Sequence, residues 1–66
     1  ALDQARRAYR VQPGNPEVVH IYGYVALQAG EHEEAREILE KAVAMLPDNP
    51  LARRHLAMAE AALRKD

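Results

Sequence analysis

Apolar residues recur along this chain at intervals of three and four, in four runs separated by breaks that carry proline or glycine. That is the period of a helix buried along one side. The first run, from about Ala1 to Gln12, puts Ala1, Ala5, Ala8 and Val11 on one face, with Arg6, Arg7 and Arg10 largely off it. The second, Pro16 to Ala29, has a wide stripe of Val18, Val19, Tyr22, Val25, Ala26 and Ala29. The third, from about His32 to Leu46, turns Ala35, Ile38, Leu39, Ala42, Val43 and Leu46 inward, and its Glu-rich first turn suits the positive end of a helix dipole. The fourth, Pro50 to about Lys65, aligns Ala52, Leu56, Ala59 and Leu63. Glu37 with Lys41, and Glu60 with Arg64, have the spacing of surface ion pairs. β-Branched residues are few, and no strand pattern competes with this reading.

The breaks are specific. Pro13-Gly14-Asn15-Pro16 and Pro47-Asp48-Asn49-Pro50 lie 34 residues apart. In each, the first Pro stops a helix and the Asn caps the next. The second Pro then takes the first helical position, where a missing N–H costs nothing. Gly30 is placed to end the second helix in a left-handed turn. Breaks this short force sequential helices to run antiparallel. The expected fold is all-α, a set of antiparallel helical hairpins.

Composition narrows the core. Of 66 residues 48% are hydrophobic, but 13 are Ala, only three are aromatic, and Phe and Trp are missing. Thin helices packed closely are expected instead of a core of bulky side chains, because Ala is also the best helix former. With no Cys, disulfides and thiolate metal sites are excluded. With no Ser or Thr either, the usual nucleophiles are missing, and no catalytic residue is expected. The three His form neither His-x3-His nor His-Glu-x2-His, so no metal site and no cofactor are expected.

Net charge is −1, which gives no field for nucleic acid or a membrane surface. Its distribution is uneven: residues 1–15 carry +2, residues 16–50 carry −5, and residues 51–66 carry +2. Basic residues without interleaved aromatics do not make a nucleic-acid site. No apolar run approaches the ~18 residues of a membrane span, so no direct membrane insertion is expected.

A 34-residue period of helix–turn–helix units resembles the tetratricopeptide repeat (TPR). The family pattern Trp-x2-Leu-Gly-x2-Tyr, Ala-x3-Phe, Pro is met here by Val19-x2-Tyr22-Gly23-x2-Ala26, Ala35-x3-Leu39 and Pro47. Gly23, Ala35 and Pro47 match outright, Ala42 fits the small residue expected after Leu39, and the large positions hold smaller apolar residues. The resemblance implies a right-handed solenoid fragment of four helices. Residues 1–15 would be the second helix of a preceding repeat, 16–49 a complete repeat, and 50–66 either the first helix of a following repeat or a C-terminal cap. It places Gly23 and Ala35 where facing helices approach closely.

The resemblance also implies a concave groove lined by the first helix of each repeat. The expected groove residues are His20, Tyr24, Leu27 and Gln28, with Arg54, His55, Met58 and Ala62 facing them and Asn15 and Asn49 at the inter-repeat edge. One TPR subtype clamps a terminal carboxylate with Lys, Asn and Arg. The corresponding places here hold His20, Tyr24, Leu51 and His55, so that mode is disfavoured.

The leading expectation is a non-catalytic scaffold segment that binds a protein or peptide partner. The alternatives are self-association through end helices that expose Ala5, Ala8 and Tyr9 at one end and Ala59, Ala62 and Leu63 at the other, or a regulatory appendage of an enzyme domain. Seven Arg against two Lys, with abundant Ala, suggests a GC-rich bacterial genome, and the absence of Cys does not choose between the cytoplasmic and the periplasmic side.

Overall fold

A computed structural model describes residues 1–65 as four helices. They are α1 (Leu2–Val11), α2 (Pro16–Gln28), α3 (His32–Met45) and α4 (Pro50–Arg64). Each boundary has a local cause. Asn15 Oδ1 accepts from the amides of Glu17 at 3.0 Å and Val18 at 3.5 Å, and Asn49 Oδ1 accepts from those of Leu51 at 2.9 Å and Ala52 at 3.3 Å. Pro16 and Pro50 follow as the first helical residues. α2 ends at Gly30, whose φ of +83° lets the Glu31 amide bond Ala26 O and its own amide bond Leu27 O. That pair of bonds satisfies carbonyls the helix end would leave open.

The 34-residue period is written in the backbone. Gln12 (φ −132°, ψ 64°) and Leu46 (φ −128°, ψ 66°) end α1 and α3 in the same conformation. Asn15 (−89°, 111°) and Asn49 (−91°, 109°) begin α2 and α4 alike. Equal dihedrals at equal intervals are what make a repeat: the same turn delivers the next helix at the same angle.

The core is Val19, Tyr22, Ala26, Ala35, Ile38, Leu39, Ala42, Ala52 and Ala59, and Leu39 and Val19 are its largest fully enclosed side chains. With five of these nine being Ala, helix backbones come close and few bulky groups carry the packing. Gly23 shows how close. A Cβ built there would lie 2.5 Å from Leu39 Cδ2 and 2.6 Å from Cγ, so α2 and α3 touch with no room for a methyl. The small residue at this crossing accommodates Leu39, a turn beyond the Ala35 that the family pattern suggested.

α2 packs on α1, α3 and α4, whereas the backbone of α1 lies close to that of α2 alone. This corrects the expected faces. α1 turns Leu2, Ala5 and Tyr9 toward the core, while Ala1, Ala8 and Val11 are exposed, Val11 at 77%. The positions 34 residues on from Ala1 and Ala8 are Ala35 and Ala42, both fully buried, because α3 has a helix on either side. Ala29 is likewise exposed instead of joining the α2 stripe.

At the other end, Ala59 is fully buried and Ala62 and Leu63 are half-buried, so the exposed apolar stripe expected there is not present. Where α2 buries Val19, Gly23 and Ala26, α4 carries Arg53, Ala57 and Glu60 at the equivalent places, all exposed. The predicted Glu37–Lys41 and Glu60–Arg64 pairs are not among the ion pairs formed by the described residues. Those are Arg6–Asp3, Arg6–Glu34 and Arg36–Glu40.

Candidate partner-binding groove

α2 and α4 lie side by side on one face of the molecule, and the side chains between them form a single cluster. His20 Nε2 and His55 Nδ1 are 3.0 Å apart, a hydrogen bond whose direction depends on the tautomers. The Tyr24 ring lies against His55, with centroids 4.7 Å apart and planes tilted by 36°. Gln28 Nε2 donates to Tyr24 Oη at 2.7 Å one turn further along α2. A small pocket of about 110 Å³ is lined by His20, Ile21, Tyr24 and His55. Burial, with His20 and Arg54 nearby, pushes the His55 imidazole below its ordinary range.

Beside this cluster α2 and α4 carry exposed apolar side chains. Ile21, Tyr24, Leu51 and Met58 are between 39% and 59% exposed. Leu51, His55 and Met58 are spaced by four and three on α4, as Ile21, Tyr24 and Gln28 are spaced by three and four on α2, so each set forms a ridge.

The expected groove residues divide accordingly. His20, Tyr24, Gln28 and His55 come together in the cluster, and Arg54 and Met58 stand exposed beside it. Leu27 packs against the core instead. Asn15 and Asn49 use their side chains to cap α2 and α4, and Asn15 also donates to Gln12 Oε1 at 2.8 Å. Ile21 was missed. Sharing a face with Tyr24 at i+3 and Gln28 at i+7 was the signal for it.

A second polar cluster stands apart from the groove and joins three helices. Arg6 on α1 grips Glu34 on α3 through Nε at 2.9 Å and Nη2 at 2.8 Å, and Tyr22 on α2 donates its hydroxyl to the same carboxylate. The Arg6 guanidinium, aided by the Tyr22 hydroxyl, holds the Glu34 carboxyl down to about 2 against the opposing effect of burial. The same contact holds the Arg6 proton more firmly, and burial followed by Glu34 pushes the Tyr22 hydroxyl up.

Tyr9 leans on Tyr22 with centroids 5.3 Å apart and accepts a 3.0 Å hydrogen bond from Lys41 Nζ, which favours the charged ammonium. The Lys41 nitrogen is 5.4 Å from the Tyr9 centroid but 3.0 Å from its hydroxyl, so it sits off the oxygen end and not over the ring face. This cluster fastens helices together. With its polar groups paired to one another, it presents no converging set to a ligand.

Among the described residues no three His, Asp or Glu side chains gather in a way that would hold a metal ion. No helix there is long and apolar enough to cross a membrane. A broader hollow at the α3–α4 turn, lined by Met45 to Pro50, is the outside of the capping turn, whose Asn49 oxygen is already engaged by α4.

Antiparallel helices in which the turn ahead of α2 recurs ahead of α4, 34 residues on, define an α-helical repeat protein. The family model described as tetratricopeptide repeat matches residues 16–61, and the chain belongs to that family. Its repeats serve protein–protein interaction. No curated protein and no solved structure matches the chain.

Proposed function

We propose that the groove between α2 and α4 docks an extended peptide or a partner helix, and that the chain is the non-catalytic interaction segment of a larger scaffold. The observation that carries this is the row of exposed Ile21, Tyr24, Leu51 and Met58 around the His20–His55–Tyr24 cluster. Exposed apolar side chains gathered on one face and rimmed by polar groups are characteristic of a docking surface. An amphipathic helix would set its apolar positions between the two ridges. Residues 1–15 then read as the second helix of a preceding repeat and 16–49 as a complete one. α4 reads as a capping helix, because Arg53 and Glu60 hold the places at which a further helix would need apolar contact.

The test is selection of peptides from a display library on the 66-residue chain, followed by binding to variants. Selected peptides are expected to lose affinity for Met58→Glu and Tyr24→Ala while keeping it for Glu33→Gln on α3. Equal binding to all three would overturn the groove reading.

Self-association has one observation in its favour, the exposed Ala8 and Val11 on α1, and it is confined to that end. Sedimentation at rising concentration tests it. Val11→Glu is expected to abolish any dimer, and a wild-type chain that stays monomeric throughout rules this reading out.

A further inference from the structure

Among the described residues, the His20–His55 contact is the single hydrogen bond between side chains of α2 and α4. Two imidazoles 3.0 Å apart need one N–H and one lone pair between the facing nitrogens. A first added proton goes to the far nitrogen of the donor ring, which keeps the bond and makes it charge-assisted. A second must go to the accepting nitrogen and sets N–H against N–H. We infer that this contact is a latch across the groove, closed while the pair holds at most one added proton and opened by the second, so that docking in the groove changes with pH. The link to docking rests on the groove reading; the latch itself does not.

The surroundings favour a two-step response. From α2 the pair is faced by Tyr24, stacked on His55, and from α4 by Arg54, whose charge disfavours a further cation on His55. From α3 it is faced by no titratable group, because the residues α3 turns inward are Ala35, Ile38, Leu39 and Ala42. No carboxylate pairs with either ring among the described residues, and Glu17, one turn before His20, is exposed. The doubly protonated pair therefore has no counter-ion at hand and lies beside a fixed guanidinium. α2 and α4 each remain packed on α3, so the opening is confined to the groove face.

An NMR titration of the 66-residue chain tests the latch without any partner, following the imidazole protons of its three His and the amides of Ile21 and Met58. His20 and His55 are expected to titrate as a coupled pair with apparent midpoints about one pH unit or more apart. The Ile21 and Met58 amides should move with the lower step. In His20→Gln, which keeps a hydrogen-bonding group but cannot charge, His55 should titrate once, between the two steps of the wild type, and the amide shifts of the lower step should vanish. Midpoints that coincide, or a His55 titration that ignores His20→Gln, would overturn the latch. A peptide selected on the groove should then change affinity across the lower step for the wild type and not for His20→Gln. A wild-type affinity independent of pH would break the link to docking while leaving the groove reading intact.

Discussion

Arg6 on α1 and Glu34 on α3, 28 residues apart in sequence, share a two-pronged ion pair that also takes in the hydroxyl of Tyr22 on α2. A single carboxylate therefore ties three successive helices, and the Lys41–Tyr9 hydrogen bond is a second link between α1 and α3, whose backbones do not approach each other closely. In a chain with a thin, Ala-rich core, these polar links join α1 and α3 where their backbones stay apart.

Its contribution is expected to depend on pH in a definite direction. Glu34 has a folded pKa of about 2 against an ordinary 4.5, so it binds protons less readily in the folded chain than in the unfolded one. The stabilisation is complete above pH 4.5 and fades as pH falls from there toward 2. Thermal melts of wild type and Glu34→Gln should differ near neutrality, with the wild type melting higher, and should converge across that window. A gap that persists unchanged at pH 2 would show that the charge on Glu34 is not its source.

Gly23 should tolerate no side chain. A methyl there meets the Leu39 side chain at 2.5 Å, and Leu39, fully buried, has nowhere to go. Gly23→Leu is expected to cost on the order of 1–3 kcal/mol in urea unfolding. Gly23→Ala should also destabilise, despite the better helix propensity of Ala, and combining it with Leu39→Val should recover part of that loss. Stabilisation by Gly23→Ala alone would mean that Leu39 yields more easily than its burial implies.

The capping bonds of the two Asn should be equivalent, and the further bond from Asn15 to Gln12 is exposed and adds little. Asn15→Ala and Asn49→Ala are each expected to cost about 1 kcal/mol, and the corresponding Gly variants only a few tenths. Denaturant melts of the four variants check this. A markedly larger loss for Asn15→Ala would show that its bond to Gln12 stabilises the turn as well.

Ala8 and Ala42 occupy equivalent places in the 34-residue period but differ in surroundings. Ala8→Lys should change stability by no more than about 0.5 kcal/mol, because the position is open. Ala42→Lys puts an unpaired charge into a fully buried site and should cost about 4 kcal/mol or more, enough to unfold so small a chain. Circular dichroism on the two variants separates the outcomes.

Much of the fold was legible because its signals are local. Asn15, Pro16, Asn49 and Pro50 act on amides two or three residues away, and Gly30 acts through its own φ. Such effects travel with the residues that cause them, so helix number, helix ends and the repeat period follow from the chain. The candidate groove was legible more coarsely. The resemblance grouped His20, Tyr24 and Gln28 in the groove, but it also offered Leu27, which the core took, and it passed over Ile21.

The rest depends on which helices flank which. Burial of a stripe is set by neighbours, and α1 has one where α3 has two, so Ala8 and Ala42 read alike in sequence and part company in space. The ion pairs behaved the same way: Glu37 and Glu60 had Lys41 and Arg64 four residues away, yet Lys41 went to Tyr9 across helices, and Arg6 found Glu34. A side chain of that length reaches several partners at similar energy, and helix packing chooses among them. By itself the sequence determined four helices, their caps and a 34-residue repeat, because those are written within a few residues of each cause. The tertiary structure alone decided the Arg6–Glu34–Tyr22 bond, the His20–His55 bridge and the open face of α1, because each depends on the angle at which a turn delivers one helix to the next.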